Sequence, residues 1–149
     1  MEDTNLVVMK KLIIFVIIFI FAASMLVEAT DDLCTLTLKI LNNKHCKPIY
    51  IAIYDNHKSF LNPKKAKYAY VVDSNKEDIY IIENISPGDY AVAIFQDING
   101  NGKIDTFFFG IPKEPYGFSN NARKLMGPPS FKDCKFQIAN DTRIEIKLR

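Results

Sequence analysis

Residues 34–40 read CTLTLKI and alternate apolar and polar side chains without interruption. Because the side chains of a strand point alternately to its two faces, this period of two predicts a strand with one buried face. The same alternation returns at Arg143 to Leu148, with isoleucines at 144 and 146 on the inward face. The first and last thirds of the chain therefore both indicate β-structure.

Five further segments show strand composition between turn residues, and no segment shows a convincing amphipathic helix. The seven predicted strands are Cys34–Ile40, Pro48–Asp55, Tyr68–Asp73, Asp78–Glu83, Asp89–Gln96, Phe131–Ile138 and Arg143–Leu148. Seven short strands in one small domain predict an all-β fold. We expect a seven-stranded antiparallel two-sheet sandwich, Ig-like or transthyretin-like, with one long aromatic loop.

Strands of a sandwich generally reverse direction at each connection, which predicts the end of the domain where each turn lies. Cys46 and Cys134 then share an end, so we expect a disulfide between them. Cys34 starts the first strand at the other end and is expected to be a buried free thiol. His45 and His57 are predicted to be surface residues at opposite ends.

The N-terminal residues have the pattern of a secretory signal. Lys10 and Lys11 precede an uncharged apolar run, and Val27-Glu28-Ala29 resembles a cleavage site. We expect a signal peptide over residues 1–29, cleaved after Ala29, a β-sandwich domain over 30–149, and a periplasmic or secreted location. Met9 would itself be a suitable start. The alternative is a retained membrane anchor, although Leu12 to Val27 is shorter than the roughly 20 residues that span a bilayer.

The composition limits the number of domains and the classes of partner that the chain could have. The chain has 149 residues, 48% of them hydrophobic, which suffices for one domain. Its net charge is +2, and the two signs are interspersed without a basic stripe. Nothing in this distribution favours binding of nucleic acid.

Residues 97–105, DINGNGKID, resemble the first nine positions of a calcium-binding loop. Oxygen-bearing side chains stand at positions one, three, five and nine, glycine at six, and a residue offering its carbonyl at seven. The predicted calcium ligands are Asp97, Asn99, Asn101, Lys103 and Asp105. Position twelve lacks an acid, and Glu114 could replace it only if the chain folds back. The alternative is a run of tight turns, since Asn-Gly pairs tolerate positive φ.

Residues 106–130 are rich in aromatic residues, glycine and proline, and a connection this long is usually functional or disordered. Disorder suits so many aromatic residues poorly. We expect a surface that binds an unknown protein or carbohydrate, or alternatively a lid that packs its own rings over the open end of the sandwich. The candidate binding residues are Phe107, Phe108, Phe109, Glu114, Tyr116 and Phe118.

No catalytic constellation is recognisable. The serines lack an adjacent base at a known spacing, and the two histidines are predicted to lie far apart. The sequence therefore favours a non-enzymatic binding or accessory module, with an extracytoplasmic hydrolase as the alternative.

Several motifs together resemble domain-of-unknown-function family 2141, a family of exported bacterial proteins. They are SPGDYAV at residues 86–92, the loop at 97–105, GIPKEPYGFSNN at 110–121 and GPPSF at 127–131. The chain departs from that family at Gln96, where a histidine is usual, and in its three cysteines. The resemblance implies an exported location and a β-sandwich similar to carboxypeptidase-regulatory-like and transthyretin-like domains, without an activity.

Overall fold

The structure of the protein is a computed structural model that describes residues 13–14, 33–74 and 78–149. The predicted signal peptide and its cleavage site lie outside these ranges, except for residues 13–14. The fold described below belongs to the unit Asp32–Arg149. Within the described ranges, no helix is long and apolar enough to cross a membrane.

The described part contains eight strands and little helix. The strands are β1 (Cys34–Leu41), β2 (Ile49–Tyr54), β3 (Tyr68–Val72), β4 (Ile79–Ile85), β5 (Gly88–Gln96), β6 (Tyr116–Phe118), β7 (Phe136–Ile138) and β8 (Thr142–Lys147). One helical turn, α1 (Phe131–Cys134), and 3-10 turns at 63–65, 108–110 and 119–121 complete the elements. The prediction of seven strands was wrong by one, because β6 lies in the segment that we assigned to a loop.

The strands form two sheets. One has the order β4-β1-β8, and the other has the order β3-β2-β5-β6, with β7 also paired to β5. All pairs are antiparallel except β1 with β8, which run parallel from Leu36–Thr142 to Leu41–Lys147. The prediction of a purely antiparallel fold is corrected by this pair, since the first and last strands run the same way and are neighbours.

The core lies between the two sheets. The alternate residues of β1 predicted to point inward, Leu36, Leu38 and Ile40, are fully buried, as are Ile49 and Ile53 of β2. They belong to a single buried cluster with residues of β4, β5 and β8. Burial of apolar surface from both sheets is the main favourable contribution to this fold, at roughly 25 cal/mol per Å².

A smaller buried cluster covers the outer face of the second sheet. Ala91, Phe118 and Cys134 form its centre, with Phe60 and Phe131 packed against them. α1 is held there by a capping box, in which the hydroxyl of its N-cap residue, Ser130, accepts a hydrogen bond from the Asp133 N–H and the Asp133 carboxylate accepts one from the Ser130 N–H. The N-terminal half of the predicted sixth strand is therefore this helical turn.

β6 and β7 share one edge of β5. β6 pairs with Ala93–Phe95, and β7 pairs with Gly88–Tyr90. Between them the fully buried hydroxyl of Ser119 accepts a hydrogen bond from Val92 N (2.9 Å) and donates one to the carbonyl of Cys134 (2.5 Å). A side chain thus replaces the strand pairing that is missing at the centre of this edge.

The two sheets are joined on one side. The N–H of Arg149 donates to the carbonyl of Tyr116 (3.1 Å), and the Tyr116 N–H donates to the carbonyl of Arg149 (3.3 Å). A Cβ on Gly117 would lie 2.6 Å from Cγ2 of Ile146 and 3.0 Å from the carbonyl oxygen of Lys147. Glycine is therefore required at 117 for β6 to approach the end of β8 so closely.

The predicted disulfide between Cys46 and Cys134 is absent, since both are free cysteines. Cys46 is exposed near the end of β2 that pairs with Gln96. Cys134 lies just before β7, and β7 pairs only with the first residues of β5. The buried side chain of Cys134 therefore packs beside Ala91, away from the end of β5 where Cys46 lies. Burial raises the pKa of the Cys134 thiol to about 11. Cys34 is buried, as predicted.

Tyr90 fixes the corner between β4 and β5. Its buried hydroxyl donates a hydrogen bond to the carbonyl of Ser86 (2.8 Å) and accepts one from Nζ of Lys67 (3.1 Å). Bonding from a tyrosine to a carbonyl a few residues upstream is the arrangement of a tyrosine corner. Burial raises the pKa of Tyr90, so the hydroxyl keeps the proton that it donates.

We expect Tyr90→Phe to lower the free energy of unfolding by about 1–2 kcal/mol, because the partly buried Ser86 carbonyl loses its donor. Tyr70→Phe is the matched control, since the Tyr70 hydroxyl has no hydrogen-bond partner among the described residues. Urea denaturation of both variants measures the difference. Equal stability of the two variants would show that the corner contributes nothing.

Candidate binding surface

The segment 97–115 leaves the domain at the end of β5 and returns at the start of β6. Its two ends are held together, because Gln96 N donates to the carbonyl of Pro115 (2.8 Å), and its first residue is tied to the start of β2, because Asp97 N donates to the carbonyl of Pro48 (2.9 Å). The segment is therefore a closed excursion from one end of the second sheet, and we call it the 97–115 loop.

The carboxylate of Asp97 organises the first half of this loop. Its side chain is buried, with only 2% of the residue exposed. Oδ1 accepts hydrogen bonds from the N–H groups of Gly100 (2.8 Å) and Asn101 (3.2 Å), and Oδ2 accepts one from Gly102 (2.7 Å). Both glycines have positive φ, near +75° and +72°, which lets the chain wrap around the carboxylate.

Glu114 holds the second half of the loop against the first. Its carboxylate is buried and accepts hydrogen bonds from Ile98 N (2.9 Å) and Asp105 N (3.0 Å). The chain folds back through a bridge between Thr106 and Pro112, and Lys113 N donates to the carbonyl of Asp105 (2.8 Å). The chain therefore folds back, which is the condition under which Glu114 could reach the calcium-like loop. The two carboxylate oxygens of Glu114, however, accept hydrogen bonds from backbone N–H groups.

The predicted calcium ligands are brought together only in part. The side-chain amides of Asn99 and Asn101 both donate to Oδ2 of Asp105, at 2.6 and 3.1 Å. Their amide oxygens accept hydrogen bonds from the N–H groups of Asn101 and Lys103, respectively. Among the described residues, no three acidic, histidine or cysteine side chains are gathered at one point. In this structure the loop is closed by its own hydrogen bonds.

Of the predicted binding residues, the phenylalanines of the loop tip are on the surface. Phe107 is 58% exposed, Phe108 is 89% exposed, and Ile111 beside them is 58% exposed. Nζ of Lys113 lies 5.2 Å from the centre of the Phe107 ring, within the range of a cation–π contact. The side chain of Phe109 lies outside the described residues. Ile111 was not predicted, although it continues the apolar run after Gly110.

Three other predicted binding residues instead take part in the hydrogen bonding and packing that hold the fold together. Glu114 is the buried brace described above, and Phe118 is buried in the small cluster on the outer face of the sheet. Tyr116 is partly buried and packs edge-on against Phe118, with ring centres 5.8 Å apart. Residues 116–118 thus form a strand of the second sheet and not the predicted lid over the open end of the sandwich, whereas Phe107 and Phe108 are exposed as a contact surface requires.

Gln96 anchors the base of the loop. Gln96 is fully buried, and its side-chain Nε2 lies 2.9 Å from Oδ1 of Asn43, 2.5 Å from the carbonyl oxygen of His45 and 3.3 Å from Oγ of Ser74. These contacts tie the turn between β1 and β2, and Ser74 two residues beyond β3, to the end of β5. At this position, where the sequence departs from the related motif, the side chain is a structural tether.

Together, the fold and the surface define a small two-sheet β domain that presents a braced apolar loop. The chain belongs to domain-of-unknown-function family 2141, described as an uncharacterized protein conserved in bacteria, because the family model matches residues 39–146. This match runs from β1 to β8 and includes the whole loop, so it confirms the resemblance seen in the sequence. Searches of curated proteins and of solved structures found no match.

We expect Glu114→Gln to destabilise the protein by about 1–3 kcal/mol, since one buried N–H group would face an amide N–H₂ instead of a carboxylate oxygen. Glu145→Gln is the control, because Glu145 forms only an exposed ion pair with Lys39 (3.2 Å), and such pairs contribute about 0–1 kcal/mol. Urea denaturation and proteolysis of the 97–115 loop provide the readouts. If Glu114→Gln behaves like Glu145→Gln, the loop does not depend on this brace.

Proposed function

We propose that the protein is an exported, non-enzymatic binding module and that its contact surface is the tip of the 97–115 loop. The observation that carries this proposal is Phe108, which is 89% exposed on a loop fixed by two buried carboxylates. A loop whose conformation is fixed loses little further entropy when it binds, so exposed rings on it favour association. Aromatic side chains are also the residues that most often dominate binding energies.

The proposed partner is a protein or a carbohydrate. Phe107, Phe108 and Ile111 offer apolar contact area, and the ammonium group of Lys113 lies against the Phe107 ring. Both an apolar pocket on a protein and the apolar face of a sugar ring can pack against such a surface. The proposal of export rests on the sequence pattern of residues 10–29.

The placement of the histidines supports binding over hydrolysis. His45 and His57 are both exposed, and they lie before and after β2, at opposite ends of that strand. They are therefore too far apart to serve one active site together. No observation on the described residues favours the hydrolase alternative specifically.

We expect the double variant Phe107→Ser/Phe108→Ser to weaken binding at least about tenfold, because truncation of central aromatic contacts typically costs more than 1 kcal/mol each. The matched control is Leu125→Ser/Met126→Ser, which removes two apolar residues exposed at 101% and 82% outside the 97–115 loop. Immobilised wild-type and variant chains are compared for binding of bacterial exported proteins and envelope polysaccharides.

Equal losses in the two double variants would contradict the proposal, since nonspecific apolar adhesion would then explain the binding. Turnover of an ester, amide or glycoside by the purified chain, abolished by denaturation, would favour the hydrolase instead. Both double variants should keep the stability of the wild type, because exposed substitutions usually change it by less than about 0.5 kcal/mol.

We further propose that calcium binds weakly in the 97–115 loop and stiffens the base of the contact surface. Asn99, Asn101 and Asp105 already meet side by side, and rotation of the two amides would present oxygens in place of nitrogens. Hard oxygen donors of this kind suit calcium. Because both carboxylates that brace the loop are engaged by N–H groups, affinity should lie near the roughly 0.1–1 mM of extracellular modules.

We expect calcium at about ten times its dissociation constant to stabilise the protein by about 1.4 kcal/mol. The melting temperature in calcium should therefore lie several degrees above the melting temperature in chelator. Asp105→Asn should remove this difference and leave the melting temperature in chelator nearly unchanged. Asp97→Ala should lower the melting temperature in both buffers, because the loop loses its central hydrogen-bond acceptor. If wild type melts identically in both buffers, the asparagines serve only the turn.

A further inference from the structure

A second apolar segment is exposed between the 3-10 turn at 119–121 and α1. It covers residues 122–129, and we call it the 122–129 segment. The side chain of Leu125 is fully exposed and that of Met126 is largely exposed, and we call these two residues the tip. Among the described residues, only Phe108 has a large apolar side chain that is comparably exposed. Neither tip residue contributes to the core, so packing within the domain does not explain why they are apolar.

Both ends of the 122–129 segment are fixed to the domain. Before its start, the guanidinium group of Arg149 donates a hydrogen bond to the carbonyl of Asn121 (2.7 Å). At its end, Pro129 is buried, and Ser130 begins the capping box of α1. Gly127 has a φ of 74°, a left-handed conformation that glycine adopts in turns. The tip is therefore presented on a short turn with an anchored base.

The charges next to the tip are positive. Residues 115–132 contain three basic residues, Arg123, Lys124 and Lys132, and no acidic residue. Asp133 follows them, and its carboxylate accepts hydrogen bonds from the hydroxyl (2.6 Å) and the N–H (2.9 Å) of Ser130. These hydrogen bonds lower the pKa of Asp133, and the nearby ammonium groups of Lys124 and Lys132 lower it further. The single acid beside the segment is therefore already engaged.

The acidic residues of the adjoining strands also have partners. Glu145 of β8, whose carbonyl accepts a hydrogen bond from the side chain of Asn121 (3.3 Å), forms an ion pair with Lys39 (3.2 Å). Asp89 of β5 forms an ion pair with Lys135 (2.8 Å). Three basic residues and one engaged acid thus leave a net positive charge around the tip.

We infer that the 122–129 segment is a membrane contact site, at which the tip enters the surface of a bilayer containing anionic lipids. Apolar side chains are stabilised at the boundary of the acyl chains, and basic residues beside them attract anionic headgroups. Arg123 and Lys124 directly precede Leu125, so their charges meet the headgroups when the tip is inserted. Long basic side chains can do this while their alkyl stems cover apolar surface.

The tip suits a bilayer better than a protein partner. A stable protein interface buries roughly 800 Å² on each partner, far more than two side chains supply. Leucine is also under-represented among the residues that dominate protein interfaces. Lipids, in contrast, close around an exposed apolar group without a complementary pocket, and anionic headgroups match the positive charge. The tip lies outside the 97–115 loop, so this inference does not depend on the binding proposed for that loop. Soluble ligands contain no bilayer, so Leu125→Ser/Met126→Ser remains a valid control for that binding.

The chain contains no tryptophan, so Leu125→Trp places a single fluorescent reporter at the tip. On vesicles of phosphatidylcholine and phosphatidylglycerol in equal parts, its emission should shift to shorter wavelength and be quenched by lipids brominated in their acyl chains. Ile81→Trp is the matched control, because Ile81 is also an exposed apolar residue but lies on β4, and its emission should not change. Because the signal comes from one residue, it stays local even when the apolar residues 12–27 of the full chain bind lipid as well.

Arg123→Glu/Lys124→Glu, made in the Leu125→Trp chain, tests the charges beside the tip. It should raise the lipid concentration that gives half of the shift at least about tenfold, because each basic residue near an anionic surface strengthens binding. Lys44→Glu/Lys47→Glu is the matched control, since it changes the net charge equally at exposed residues of the turn between β1 and β2. At about 0.1 M salt the Debye length is about 10 Å, so these remote charges should leave the shift unchanged.

Three outcomes would overturn the inference: no shift of Leu125→Trp on the mixed vesicles, an equal shift on vesicles of phosphatidylcholine alone, or an equal shift of Ile81→Trp. Equal weakening by the two charge variants would also overturn it, because attraction between the whole chain and the vesicle would then explain the binding. Both tryptophan variants should keep the stability of the wild type in urea, since substitutions at exposed positions usually change it little.

Discussion

The close approach of β6 to the end of β8 at Gly117 is the constraint on which much of the structure depends. No side chain larger than hydrogen fits there, since an added Cβ would lie 2.6 Å from Ile146. This contact joins the two sheets on one side and leaves them unequal on the other. It also returns the chain to the end of β5 from which the 97–115 loop left, so that Glu114 can reach Ile98 and Asp105.

The loop illustrates how buried carboxylates can replace regular pairing. An excursion of this length has many backbone N–H groups, and those that are buried need acceptors. Asp97 and Glu114 supply four oxygens to five N–H groups in partly buried hydrogen bonds, so that the loop has a fixed shape without regular strand pairing. Its apolar tip is then held outward, and the aromatic residues divide between the surface at 107–108 and the sheet at 116–118.

β1 and β8 could be predicted because each carries an alternation that burial on one face requires, and most of the other strands could be predicted from strand composition between turn residues. The residues of β1 predicted to point inward are the ones found buried. β6 was missed because three residues, one of them glycine, are too short to show a period, and its pairing depends on contacts with β5 and β8. α1 was missed although Ser130 and Asp133 carry a capping-box spacing that could have revealed it.

The cysteine prediction failed for a related reason. It placed the start of the strand that contains Cys134 at the end of the domain where β5 ends, whereas β6 takes that part of the edge and Ser119 and β7 follow it. Glu114 was considered only as a replacement for the missing acid of the calcium-like loop, on the condition that the chain folds back, and the structure meets that condition. Its binding of N–H groups could not be predicted, because the bridge between Thr106 and Pro112 depends on the folded loop.

The parallel pairing of β1 with β8 has a consequence for how the chain is made. The first strand is a central strand of its sheet, and one of its two neighbours is the last strand of the chain. A ribosome-bound chain that lacks β8 therefore leaves one edge of β1 and its fully buried leucines without cover. Contacts between such distant segments form slowly, so this sheet cannot be completed before β8 has been synthesised. For the export that we propose, this delay would keep the polypeptide unfolded while a translocation channel accepts it.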